Sequence, residues 1–165
     1  MKTPSVERKA SNVLLREWCA AVTGDVLSVG SSQDGDKEGR SYRDYFTNAV
    51  SYRTSDVAPG ADAVIDVRAT GLPDACYDAV FCCGVLEHVD DCHAAVRELF
   101  RILKPGGWLL VGVPFMQGIH RAPMDFWRFT EFGLRWLLKA FQEIDVRAIG
   151  DVKAPLCYWA RARKA

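Results

Sequence analysis

At 165 residues, with 49% hydrophobic and 25% charged residues, the chain has the composition of a globular protein long enough to bury about two-thirds of its unfolded surface. Lys+Arg and Asp+Glu are equal at 21 each, which excludes a global field favouring nucleic acid or an anionic membrane. No apolar run approaches the ~20 residues of a membrane span, and no signal-peptide core opens the sequence. The six cysteines (Cys19, Cys76, Cys82, Cys83, Cys92 and Cys157) show neither CxxC pairing nor metal-ligand spacing, so a reducing cytoplasm is the expected compartment.

Residues 4–22 carry Val6, Ala10, Val13, Leu14, Trp18 and Ala21 at helical spacing, and Gly24 stops them, which predicts an N-terminal helix within residues 1–24. Residues 25–30 (DVLSVG) read as the first strand, and 31–39 (SSQDGDKEG) as a polar loop. An aromatic stretch at 42–46 suits a single helical turn. Residues 50–56 and 63–67 read as a second and third strand, but the six residues between them are too few for a crossover helix. Either that helix is missing or the second strand is misplaced. Residues 78–83 are a fourth strand, in which the adjacent Cys82 and Cys83 face opposite sides as small apolar residues.

The following helix buries Val96, Leu99, Phe100 and Leu103 and turns Arg97, Glu98 and Arg101 to water. Lys104-Pro105-Gly106-Gly107 stops it and permits a tight turn into a fifth strand at 108–113. Thr130 is the expected N-cap of a last helix, with Leu134, Leu137, Leu138 and Phe141 at core spacing. Residues 143–149 and 156–161 suit a terminal antiparallel pair. The closing basic residues Arg161, Arg163 and Lys164 read as a solvated tail rather than a binding patch. The predicted fold is a single α/β domain over residues 1–165, a Rossmann-like three-layer sandwich. Its sheet is mostly parallel, its C-terminal strand pair is antiparallel, and its ligand crevice lies where the winding reverses between the first and fourth strands.

One stretch, residues 66–113, holds most of the functional signal: an acid after a strand (Asp66), Leu72-Pro73, a second acid (Asp78), Leu86-Glu87-His88-Val89 and LKPGG, in that order. The chain resembles the class I methyltransferases that use S-adenosylmethionine. Tyr42-Arg43 with Phe46, and His120, Pro123, Asp125, Arg128 and Thr130, resemble one bacterial subgroup often encoded near sugar-polymer or secondary-metabolite genes. The resemblance spans residues 25–138. It implies S-adenosyl-L-methionine as cofactor, a cleft lined by Gly30, Ser31 and Ser32, a ribose-binding Asp56, and Asp66 with Val67 at adenine. Cys83 and Gly84 would form the far wall. The chain departs from the family pattern at Ser28, where an acid is usual, and at Ser32, where a second glycine is usual.

Several of these residues have simpler roles open to them. Asp56 suits a turn before Pro59-Gly60, Asp66 suits a loop cap, and Gly84 suits a plain turn. On the acceptor side, His120 lies in the irregular loop 114–128 (PFMQGIHRAPMDFWR) within an acceptor-side segment 114–129. His120 is the leading candidate base and His88 the second, although His88 equally suits fixing the loop after the fourth strand. His93 reads as structural. Phe115 and Trp127 suit the walls of a small-molecule pocket, with Arg128 pairing Asp125 or an anionic substrate; the competing reading is a self-packed loop with a local Asp125–Arg128 ion pair. No metal is expected, because His120 and Asp125 are only two ligands.

The expected function is therefore methyl transfer to a small-molecule acceptor, such as a sugar or secondary-metabolite hydroxyl, without membrane or nucleic-acid partners. The alternative is a catalytically weak or inactive binding module on the same fold. A nicotinamide dehydrogenase is disfavoured, because the polar run after Gly30 does not begin a helix. The acceptor's identity and the oligomeric state are not legible in the sequence.

Overall fold

The computed structural model describes residues 6–36 and 38–165. Its elements in chain order are α1 (Val6–Ala20), β1 (Gly24–Val29), β2 (Ala49–Asp56), β3 (Ala63–Val64), β4 (Tyr77–Cys83), α2 (Cys92–Ile102), β5 (Leu103–Pro114), α3 (Glu131–Leu137), β6 (Gln142–Gly150) and β7 (Pro155–Arg163). Short 3-10 turns stand at Tyr42–Tyr45 and Leu86–His88. The predicted start of the first helix at residues 4 and 5 lies outside the described residues.

One seven-stranded sheet runs in the order β3-β2-β1-β4-β5-β7-β6. The first five strands pair in parallel, whereas β7 runs antiparallel to both β5 and β6. Each face buries its own apolar cluster. Leu99, Ile102 and Leu134 of α2 and α3 pack with Leu27, Val80 and Leu109 on one face. Leu15, Trp18 and Cys19 of α1 pack with Tyr42, Phe81 and Trp159 on the other. The layers are therefore helix, sheet, helix, as expected. Winding reverses between β1 and β4, which opens the crevice at the carboxyl ends of those strands. Among the described residues no helix is long and apolar enough to cross a membrane.

Four local expectations are corrected. The third strand is two residues long rather than five: its pairing with β2 covers only Ala63 and Val64, the Ile65 N–H to Asp56 carbonyl bond is the last of the ladder, and Ala69 N–H then bonds the Asp66 carbonyl in a turn. The short link between β2 and β3 is real and carries no helix. Its closure relies on Asp62, whose carboxylate accepts from both the amide and the hydroxyl of Thr54 at 2.9 Å.

Leu103 belongs to β5 and pairs with Tyr77, while Trp108 pairs with Ala79. Lys104–Gly107 is thus a bulge within the strand rather than a turn before it. Gly107 fits there because a Cβ would meet the Asp78 and Lys104 carbonyl oxygens at 2.9 Å. Third, Glu98 and Arg101 do not simply face water: Glu98 accepts from the amide and hydroxyl of Thr70, and Arg101 donates to the Leu72 carbonyl.

The basic C-terminus is likewise bound down rather than solvated. Arg161 lies over the Trp18 and Trp108 rings, and Lys164 Nζ donates to the Leu103 carbonyl at 2.7 Å.

Candidate active site

Three adjoining cavities of about 370, 280 and 430 Å³ follow the crevice, and Gly84 lines all of them. Val29, Gly30, His88 and Arg121 are shared by the first two, and Arg8, Cys83 and Glu87 by the last two. They form one cleft with a bend at the end of β4.

The 370 Å³ end lies beside β1 and the end of β2, and holds Gly30, Asp56, Asp66 and Val67. Asp56 does two jobs there. Its carboxylate accepts from Ala58 N–H at 3.0 Å, which opens the turn, and from Ser32 N–H at 3.3 Å, which ties down the loop after β1. Burial pushes its carboxyl up, but these amide bonds outweigh that effect and hold it below the usual value. Asp66 accepts from Arg68 N–H at 2.9 Å and pairs with the Arg68 guanidinium at 2.7 Å, which lowers its carboxyl. It caps the loop while also lining the cavity.

Gly30 takes φ +67°, and a Cβ there would lie 2.3 Å from Val85 Cγ2. The barrier to a larger residue is therefore backbone conformation and the chain's own Val85, not only the space of a ligand. Ser31 lines the 280 Å³ cavity, whereas Ser32 is exposed and lines none of the three. Ser28, at the usual acid position, is fully buried, and its hydroxyl has no hydrogen-bond partner. The loop is shaped instead by Asp34, which accepts from Arg43 N–H at 3.1 Å and from the Tyr52 hydroxyl at 2.8 Å, and also bonds the Ser41 hydroxyl.

The middle of the cleft is built by the turn after β4. Gly84, at φ +66°, donates its N–H to the Gly112 carbonyl and turns the chain into the 3-10 turn Leu86–His88. That turn buries Leu86 in the core and carries Glu87 inward with it, leaving Glu87 only 2% exposed. Burial pushes the Glu87 carboxyl up to about 7, and its Oε2 has no hydrogen-bond partner. The Nε2 atoms of His88 and His120 lie 3.8 and 4.0 Å from Glu87 Oε1. The imidazole rings meet edge to face, with centroids 4.7 Å apart. Burial lowers the His88 pKa despite its bond to the Met124 carbonyl.

The loop after β5 docks on this turn. Phe126 N–H donates to the Glu87 carbonyl at 2.8 Å, Trp127 Nε1 to the Val89 carbonyl at 2.8 Å, and His88 Nδ1 meets the Met124 carbonyl at 2.6 Å. Arg128 pairs with Asp125 at 2.7 Å and holds its carboxyl well below the usual range, and Asp125 also accepts from His120 N–H at 2.9 Å. Phe115 packs on Tyr158 in the core. None of Phe115, Asp125, Trp127 and Arg128 lines the three cavities; Met116, Gln117, His120, Arg121, Met124 and Phe126 supply the loop's share. The first four act as the loop's frame.

The 430 Å³ end lies against the sheet face beneath α1, with Trp159, Cys157 and Cys83 as its floor. Gly112 leaves room for that floor, since a Cβ would meet the Trp159 ring at 2.4 Å. Burial pushes the Cys83 thiol up to about 12, so it is a neutral wall and not a nucleophile. Glu87 was not singled out by sequence reasoning. The available signal was a carboxylate directly beside a histidine at a strand exit; what the sequence does not show is that the turn drives it under the cleft floor. The chemistry on offer is a basic cluster at the bend between two ligand-sized spaces.

Residues 43–111 match the family described as a methyltransferase domain. The chain is 34% identical over 86 residues to the 2-methyl-6-phytyl-1,4-hydroquinone methyltransferase of Synechocystis sp., covering 50% of this chain and 27% of that protein. It is 29% identical over 136 residues to the ubiquinone/menaquinone biosynthesis C-methyltransferase UbiE of Caulobacter sp., covering 73% of this chain and 54% of that one. The chain thus spans about a quarter to a half of the length of these curated relatives. Among solved structures it resembles the Burkholderia thailandensis 1,6-didemethyltoxoflavin-N1-methyltransferase with bound 1,6-didemethyltoxoflavin and S-adenosylhomocysteine. The TM-score is 0.69 at 19% identity, over 97% of this chain and 79% of that one. The match to the methyltransferase-domain family thus covers residues 43–111, and the sheet order and structural likeness show the fold that this chain shares with such methyltransferases.

Proposed function

We propose that the chain binds S-adenosylmethionine in the cleft and transfers its methyl group to a small-molecule acceptor. The observation that carries this reading is the bent cleft itself. Two spaces joined at Gly30 and His88 lie beside β1 and β2, and a third, adjoining space opens beyond Glu87. Adenosine fits the 370 Å³ end, with Asp56 accepting from the ribose hydroxyls and Asp66 and Val67 at the adenine edge. The methionine portion fits the 280 Å³ space, against the Gly30, Ser31 and Gly84 backbone. Ser32 supports this loop through Asp56. Acceptor occupies the 430 Å³ end, held under the loop that Phe115, Asp125, Trp127 and Arg128 frame.

Methyl transfer from a sulfonium is an in-line displacement, so positioning supplies much of the rate. The acceptor's nucleophile forms a bond to the methyl carbon as the sulfur–carbon bond breaks, leaving S-adenosylhomocysteine. A hydroxyl acceptor also sheds a proton, and the Glu87–His88–His120 cluster stands at the bend where that proton is released. His120 is the candidate base and His88 the second. A hydroxyl on a sugar or secondary metabolite is the acceptor this arrangement suits. The chain works as one domain, in a reducing cytoplasm.

Calorimetry with S-adenosylmethionine, S-adenosylhomocysteine and NAD tests the cofactor. Binding of the first two and not of NAD is the expected result; binding of none of them overturns the reading. Formation of S-adenosylhomocysteine with a panel of hydroxylated acceptors then separates an enzyme from a binding module.

A further inference from the structure

We propose that Glu87, His88 and His120 form a site for one divalent transition-metal ion of the zinc or cobalt type. A ligand atom from each of the three lies within 4.8 Å of the others, and all three residues line the same 280 Å³ cavity. Taken alone, the loop offers His120 and Asp125 as a pair. The turn after β4 adds two further ligands, and the resulting two-imidazole, one-carboxylate set suits such an ion.

The supporting contacts fit the same role. The Met124 carbonyl faces His88 Nδ1 at 2.6 Å, and an oxygen can only accept, so the proton sits on Nδ1 and the lone pair on Nε2. His120 Nδ1 likewise faces the Gly118 carbonyl at 3.2 Å and the Asp125 carboxylate at 3.5 Å. Both rings thus present Nε2 toward Glu87 Oε1, at 3.8 and 4.0 Å. A carbonyl or carboxylate behind each imidazole is the usual outer support of a metal-bound histidine. Ligand atoms around a tetrahedral ion stand roughly 3.4 Å apart, given bonds of about 2.1 Å. The two Glu87–imidazole separations need to close by about half an ångström, and the widest separation in the trio, within 4.8 Å, by up to about 1.4 Å. Glu87 is 98% buried by side chain and backbone together, at 2% exposure, and its Oε2 has no partner. A buried carboxylate without a cation is costly, and the ion supplies one.

The site rests on the cleft reading above and refines how the cluster acts on the acceptor. One carboxylate and two neutral imidazoles leave a divalent ion with a net charge of about +1, and with positions open to the cavity. An acceptor hydroxyl that reaches the ion from the 430 Å³ end, past Glu87, loses its proton to a water molecule, its oxygen binds the ion, and its lone pair displaces sulfur from the methyl carbon. The imidazoles then serve as ligands, and the ion is the group that acidifies the acceptor.

The test is a titration of the metal-stripped full chain with Co²⁺ alone, read by visible absorption, followed by displacement with Zn²⁺. One-to-one saturation is expected, lost in both Glu87→Gln and His120→Ala and weakened about 10–100-fold in Asp125→Asn. No saturable spectrum, or wild-type affinity in Glu87→Gln and His120→Ala, overturns the site. S-adenosylhomocysteine binding is measured on the same stripped chain. Nucleoside binding without Co²⁺ binding removes the ion alone, whereas Co²⁺ binding without nucleoside binding removes the cofactor reading alone.

Discussion

The two halves of the sheet solve the same problem by different means. From β4 onward, α2 and α3 cover the sheet and bury Leu99, Ile102 and Leu134 completely, so the Glu87 turn stands on packed core. From β1 to β3 the described residues form no crossover helix, only a 3-10 turn and loops. There the cleft wall is held by carboxylates: Asp34 on Ser41, Arg43 and Tyr52, Asp56 on Ser32 and Ala58, and Asp62 on Thr54. Packing resists local opening more than exposed hydrogen bonds do. The reaction side should therefore fail by losing turnover or the whole fold. The cofactor side should fail by losing affinity alone.

The largest expected effect breaks the comparison on the reaction side. His120→Ala should lower methyl transfer 10²–10⁴-fold, whether the imidazole takes the proton or holds an ion that acidifies the acceptor. The binding of S-adenosylhomocysteine should fall far less than turnover, because His120 borders the methionine space only at the bend and lies outside the 370 Å³ adenosine end. Turnover is read by S-adenosylhomocysteine release. If His88→Ala alone shows the selective loss, the role passes to the turn after β4.

Next comes the packed layer beneath that side. Leu99 is fully buried between α2 and the sheet, and Leu99→Ala should destabilise the chain by about 2–5 kcal/mol, read by denaturant unfolding. A smaller loss would show that the α2 layer relaxes into the vacated space. The comparison between the two halves would then weaken.

Legibility in the sequence follows the same division. Where packing decides, the periodic pattern was sufficient: α2, β4, the Thr130 cap and the terminal antiparallel pair all stand where the apolar spacing places them. Where side-chain hydrogen bonds decide, it was not. The two-residue β3 ends where the chain turns at Asp66, whose carbonyl accepts Ala69 N–H and whose carboxylate accepts Arg68 N–H, bonds with no trace in periodicity. The bulge at Lys104–Gly107 reads as a turn because proline and glycine mark both. Glu98 and Arg101 read as solvent-facing because their partners, Thr70, Leu72 and Asp74, come from a loop 27 or more residues earlier. In the site, Asp56, Asp66 and His88, read from the strand ends, line the cavities. Glu87 escaped because an acid's burial depends on where a turn carries it, not on its neighbours in sequence.

On the cofactor side the expected effect is smaller and confined to binding. Asp56→Ala should weaken S-adenosylmethionine affinity by about 1.5–3 kcal/mol, the scale of hydrogen bonds to a charged group. Part of that loss comes from freeing the Ser32 amide. Global stability should change little, since the carboxylate supports a loop and not a core. A drop in stability equal to the drop in affinity would mean that this wall is as cooperative as the other side.

The smallest expected effect concerns a place where the packed half borrows the hydrogen-bonding strategy. Glu98 projects from α2, pairs with Arg101 at 2.7 Å and accepts from Thr70 at 2.6 and 2.8 Å, tying the loop before β4 onto the helix. The Arg101 guanidinium, followed by the Thr70 bonds, lowers its carboxyl from 4.5 to about 2, against a raising effect of burial. A carboxyl lowered in the folded state stabilises it above the unfolded value. That contribution is present in full above pH 4.5 and is lost as pH falls toward about 2. Glu98→Gln keeps an acceptor for Thr70 and loses the charge, so it should cost about 1 kcal/mol at neutral pH. Melting curves of the two chains should converge as the pH is lowered through that window. If the gap between them stays constant from pH 7 to pH 2, the charge contributes nothing, and the loop is held by Thr70 and packing alone.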